Sequence, residues 1–215
     1  MLKIAYDQIF KHPLEKNHRF PMEKYDLIPK QLIQEKTCNE NNFFKPKNLK
    51  DLDVLLTHQK SYYKRFSSLS LTTKETRPIG FPMSEELIIR EKKIAQGTIE
   101  CSSFAIKYGI SMNIAGGTHH AFYDKGEAFC MLNDQAIAAN YLLYNKLVKK
   151  ILIIDLDVHQ GNGTASIFKK NPNVFTLSFH GEKNYPFRKE KSDLDLGLDD
   201  NTNDDYYLKK LKVIL

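Results

Sequence analysis

The chain carries only three cysteines in 215 residues. Cys38, Cys101 and Cys130 lie far apart and form no C-x-x-C pair, which argues against a disulfide framework or a thiolate zinc site and suits a reducing compartment. No apolar run is long enough to span a bilayer. The N-terminus, Met1-Leu2-Lys3-Ile4-Ala5-Tyr6, lacks the apolar stretch of a signal peptide. Together these absences predict a cytoplasmic protein with no membrane partner. Basic residues outnumber acidic ones by 32 to 26, yet no dense Arg/Lys block interleaved with aromatics is present. The excess therefore reads as a lysine-rich solvated surface, and a basic nucleic-acid-binding module is the weaker alternative. Repeats, low-complexity segments and tryptophan are all missing as well.

What is present suits one α/β domain with a substantial core. Leu2 to Tyr6 reads as a strand and Met22 to Lys36 as a helix, with a loop from Thr37 to Asp51. Val54-Leu55-Leu56 reads as a short strand, His58 to Phe66 as a helix, and Thr72 to Pro82 as a long loop. Ser84 has the character of an N-cap, with Glu85 and Glu86 in the first turn where the helix dipole favours acids. That helix should run to Tyr108 and close on Gly109. Met112 to Ala115 reads as a strand, Asn133 to Val148 as a helix, and Lys150 to Asp155 and Val174 to Phe179 as strands. A last amphipathic helix begins near Asp204. Alternating strands and helices predict a mainly parallel sheet.

The densest signal is Asp155-Leu156-Asp157-Val158-His159-Gln160-Gly161-Asn162-Gly163, directly after Ile151-Leu152-Ile153-Ile154. The apolar run predicts a strand buried on both faces. While the chain stays extended, residues 155, 157 and 159 project to one side, where an aspartate and a histidine can share a metal ion. The glycines that follow permit a tight turn into a helix. A second constellation, Gly116-Gly117-Thr118-His119-His120, also ends a strand. In open α/β sheets sites lie beyond the carboxyl ends of the strands, so residues 119–120, 155–159 and 178–180 should converge. Imidazoles there are natural proton carriers near neutral pH.

These two motifs, with Gly126 to Asp134 (Gly-Glu-Ala-Phe-Cys-Met-Leu-Asn-Asp), resemble the zinc-dependent histone deacetylase family, most closely its bacterial and class IV branch. His18-Arg19-Phe20-Pro21-Met22 with Lys24-Tyr25, and Gly80-Phe81-Pro82 with Ser84, Leu87 and Arg90, agree with it. The resemblance covers nearly the whole chain. It implies a three-layer α/β/α fold of the arginase/deacetylase type and an enzyme that hydrolyses acetyl-lysine or a related acetylated amine. Arginase-type relatives need more carboxylates around the Asp-x-His motif than Gln160, Gly161 and Asn162 supply.

By that resemblance Asp157 and His159 are zinc ligands. Asp155 faces His119, and His120 acts as general acid/base, oriented by Asn162. The main-chain oxygens of Asp155, Asp157, His159 and Phe179, with the Ser178 hydroxyl, hold a monovalent cation such as potassium. Phe129 and Tyr185 form the walls of an acyl-lysine tunnel. A carboxylate partner raises a histidine's pKa and an amide does not, so His119 and His120 should differ. Family members supply a third zinc ligand in an Ala-Gly-x-Asp strand and, later, a carbonyl-binding tyrosine. Neither occurs before Leu215. On this reading residues 1–215 form a single deacetylase-like domain, incomplete at its C-terminus, with a missing C-terminal segment as partner or an inactive fragment as the alternative.

Overall fold

The computed structural model describes all 215 residues. In chain order the elements are β1 (Lys3–Ala5), α1 (Lys24–Gln34), β2 (Phe43–Phe44), α2 (Asp51–Leu55), α3 (Lys60–Ser67), α4 (Thr73–Thr76), α5 (Glu85–Tyr108) and β3 (Ser111–Asn113). They continue as α6 (Asp134–Tyr144), β4 (Ile151–Asp155), α7 (Asn162–Phe168), β5 (Val174–Gly181), β6 (Leu194–Leu198) and α8 (Asp204–Ile214). Every strand pair is parallel, and the class is the expected three-layer α/β/α arrangement. The strands form two ladders rather than one, ordered β2-β1-β3 and β4-β5-β6. No helix is long and apolar enough to cross a membrane.

Local chemistry sets the principal helix boundaries. Ser84 accepts a hydrogen bond from the Leu87 amide at 3.1 Å to start α5, and Gly109, at φ +89°, ends it by donating to the Ala105 carbonyl at 2.7 Å. Asn133 caps α6 and Asn203 caps α8 in the same way as Ser84. The largest core cluster gathers Phe10, Tyr62, Phe66, Leu87, Ile94 and Ile137 around α5. A smaller one, with Ile153, Phe168 and Val174, packs α6 and α7 against the second ladder.

Several expectations fail for identifiable reasons. Val54 and Leu55 belong to a helix, α2, which Leu56 caps and whose first turn carries Asp51 and Asp53; three apolar residues cannot distinguish strand from helix. The expected loop 37–51 contains the edge strand β2, paired with β1 at Ile4–Phe43. Thr72 and Glu75 form a capping box that turns part of the expected loop 72–82 into α4. Strand β6 was not expected at all, because Asp195 and Gly197 weaken its strand signal. The run 151–154 is not buried on both faces: Leu152 is 54% exposed while Ile153 is 9% exposed. Apolar periodicity registers a strand's apolar side chains and not whether a layer covers them.

Candidate active site

Strand β3 leads into the turn that delivers His119 and His120, and Asp134 holds that turn. Its buried carboxylate, an acceptor only, receives the Gly117 amide at 3.0 Å, the Thr118 amide and hydroxyl at 2.7 Å each, and the Thr98 hydroxyl at 2.6 Å. The opposing loop begins where β4 ends. Asp155 Oδ1 accepts from the Asp157 amide at 3.0 Å, and Asp157 Oδ1 accepts from the His159 amide at 2.8 Å. The chain thus bends after Asp155 instead of staying extended, yet Asp157 and His159 still line one cavity. Two glycines allow the loops to close on each other. A Cβ on Gly161 would overlap the Asp155 carboxylate, and one on Gly163 would overlap the Ala121 carbonyl.

Across this junction the two histidines take unlike partners. His119 Nδ1 lies 2.5 Å from Asp155 Oδ2, and His120 Nδ1 lies 2.7 Å from Asn162 Oδ1. Their ring centroids are 4.1 Å apart. Burial works against a charge on His119, but the Asp155 carboxylate outweighs it and the pKa is raised. For His120 burial dominates, the charge on His119 adds to it, and the Asn162 hydrogen bond offsets only part; the pKa falls to about 4. One imidazole is therefore biased toward the cation and its neighbour toward the neutral base.

Both face a cavity of about 510 Å3 whose walls include Phe129 and Tyr185. Phe129 sits on a two-residue turn closed by hydrogen bonds between Glu127 and Cys130, both 2.9 Å. Ala128 (φ +44°) and Phe129 (φ +67°) occupy left-handed backbone conformations there, as a type I′ turn requires. The Phe129 amide donates to the Ile79 carbonyl at 2.7 Å, which pins the turn. The Tyr185 phenol donates to Glu127, and its ring stands edge-on to His120 with centroids 5.1 Å apart. Burial opposes the charge on Glu127, but hydrogen bonds from Tyr185 and Lys125 prevail and lower its pKa.

Sequence reasoning gave no individual role to Arg19, Lys24 and Arg90, which line the same cavity. Their signal was present in the segments around His18 and Ser84, but a cation's aim is a tertiary property. The buried Arg90 pairs with Glu91 and donates to the Phe10 carbonyl at 2.7 Å. Lys24 Nζ lies 4.8 Å from the Phe20 ring centroid. Burial, then the charge of Arg90, lowers the Lys24 pKa. Ser178 and Phe179 lie on β5, away from the cavity lining: Ser178 is the register partner of Asp155, and its hydroxyl is 2.9 Å from His180 Nδ1. Phe179 is buried against Tyr207.

Asp157 and His159 present one carboxylate and one imidazole, donor types that zinc accepts. No cluster of three or more His, Cys, Asp or Glu side chains is arranged for a metal ion, whereas zinc takes three or four protein ligands. The donor set fits zinc in kind and falls short in number.

Residues 18–215 match the family model described as a histone deacetylase domain. An uncharacterized protein of Picosynechococcus is 40% identical over 208 residues, covering 97% of this chain and 69% of that protein. Histone deacetylase 2 of Arabidopsis thaliana is 27% identical over 207 residues, covering 92% of this chain and 54% of its own length. The crystal structure of an HDAC homolog from Aquifex aeolicus superposes with a TM-score of 0.82 at 24% identity, over 99% of this chain and 64% of that one.

Proposed function

The chain belongs to the histone deacetylase family, and on that premise we propose that it works as a zinc-dependent amide hydrolase removing acetyl or related acyl groups from lysine side chains or other acetylated amines. The observation that carries this reading is the pair of adjacent imidazoles with unlike partners, His119 on Asp155 and His120 on Asn162. A hydrolase of amides needs a base that is neutral before the reaction and can return its proton to the amine. His120 meets that need. Its Nδ1 is engaged by Asn162, leaving Nε2 to take a proton from the attacking water and deliver it to the departing nitrogen. The C–N bond is replaced by a carboxylate and a free amine. His119, biased toward the cation, places positive charge beside the developing oxyanion.

Zinc held by Asp157, His159 and at least one further ligand would supply Lewis-acid polarisation of the carbonyl. Phe129 and Tyr185 offer apolar surface to the substrate's methylene stem, while Lys24 and Arg90 offset the charge of the carboxylate product. A monovalent cation suits the neighbouring loop, because the main-chain oxygens of Asp157 and His159 accept no main-chain hydrogen bond.

With two metal donors, the 215-residue chain alone is expected to turn over slowly. The test is hydrolysis of an acetyl-lysine peptide with zinc, by this chain and by a fusion carrying the part of the Picosynechococcus relative that this chain does not match. Activity should be higher in the fusion and fall ~10²–10⁴-fold in His120→Ala. An unchanged rate in both His120→Ala and Asp157→Ala would defeat the mechanism.

A further inference from the structure

We propose that Glu127 is a positioning residue: through Asn162 it sets which ring nitrogen of His120 carries the proton, and the same carboxylate holds Tyr185 against that ring. The inference rests on the reading of His120 as the base and adds the group that prepares it. Glu127 lies in the motif from Gly126 to Asp134 but takes no part in the reaction described above.

The argument is one of donors and acceptors. An ionised carboxylate only accepts. Glu127 Oε1 receives the Tyr185 phenol and, at 3.3 Å, the amide nitrogen of Asn162. Its Oε2 receives the Lys125 ammonium at 2.9 Å. Asn162 is 2% exposed, so its amide hydrogens have little access to water in place of Glu127. With its NH2 turned toward the carboxylate, Asn162 presents Oδ1 to His120 Nδ1 at 2.7 Å and to the Gly163 amide at 3.0 Å. An amide oxygen cannot donate. His120 must then carry its proton on Nδ1, which leaves the Nε2 lone pair free.

Placement makes this relay more than a local contact. Glu127 and Cys130 bridge the turn that bears Phe129, and the Tyr185 ring meets His120 edge-on at 88°. One carboxylate thus links both aromatic walls to the base. His119 receives its carboxylate directly from Asp155. His120 receives its orientation through an intervening amide, without an anion against the ring.

The test uses the 15N-labelled 215-residue chain and long-range proton–nitrogen correlation spectra, which report the protonated nitrogen of each histidine. The native chain should show His120 protonated at Nδ1. In Glu127→Ala the buried Asn162 NH2 loses its acceptor and turns to His120 Nδ1, so His120 should shift to the Nε2-protonated form and lose its nuclear Overhauser contacts to Tyr185. Glu127→Asp keeps the charge but is one methylene too short to reach both partners, and should give the same shift. Glu127→Gln, whose oxygen can still accept from both, should restore the native pattern. If Ala and Asp variants both retain Nδ1 protonation with Tyr185 in place, Glu127 has no positioning role and the Gly163 amide suffices. If the native chain itself shows Nε2 protonation, the reading of His120 as base fails instead.

Discussion

The Asp155 carboxylate reaches from the end of β4 to within 2.5 Å of His119 Nδ1, bridging the two parallel ladders at the point where the two histidine-bearing loops meet. Burial by itself lowers the His119 pKa, and the Asp155 carboxylate more than reverses that. Asp155→Asn should therefore lower the His119 pKa to below that of an exposed histidine. NMR titration of the ring provides the measurement; an unchanged value would mean that Asp155 is a spectator.

Acid sensitivity is expected from a histidine outside the cavity. His58 is buried, accepts from the Asn133 amide at 3.0 Å, and has its pKa lowered by burial to about 4 from an ordinary 6.5. Between those values the unfolded chain binds a proton that the folded chain refuses. Its contribution to stability is complete above pH 6.5 and is lost as the pH falls toward 4. The loss should be on the order of 3 kcal/mol. Urea unfolding of the native chain and His58→Gln from pH 7 to 4 should show a steeper decline in the native chain; parallel curves would contradict this.

The turn carrying Phe129 holds Ala128 in a left-handed conformation, φ +44°. An L side chain there costs ~1–2 kcal/mol, and glycine returns part of that gain as chain entropy. Ala128→Gly should raise stability by about 1 kcal/mol, read from the denaturation midpoint. A lower midpoint would show that the Ala128 methyl packs more favourably than its backbone is strained.

Zinc affinity offers a separate check on Asp157 and His159. With two donors and no third acid, cysteine or histidine in the cluster, the 215-residue chain should retain zinc weakly in equilibrium dialysis, and Asp157→Ala should abolish what remains. Tight one-to-one retention would require another residue of the chain to complete the coordination.

Much of the site was legible in one dimension. Asp155, Asp157, His159 and Asn162 lie within eight positions of one another, and His119 and His120 are adjacent, so their chemistry could be read from type and spacing. Helix α5, announced by its caps at Ser84 and Gly109, was equally readable, because a cap is a contact between near neighbours, and α8 was readable from its amphipathic pattern near Asp204. Strands β2 and β6 were not: two residues in one case and Asp195 with Gly197 in the other leave the pairing to partners far along the chain. The exposure of Leu152 was likewise hidden, since an apolar residue reads alike whether or not a layer covers it.

By itself, then, the sequence determined the family, the residue types at the site and the order of the longer strands and helices. The resemblance implied that the imidazoles of His119 and His120 differ; tertiary structure decided the burial of each and brought its partner, 36 or 42 positions away, into contact. It also decided that Glu127, 35 residues from Asn162 and 58 from Tyr185, joins them. Hydrogen bonds act over about 3 Å, and only folding brings such distant positions within that reach.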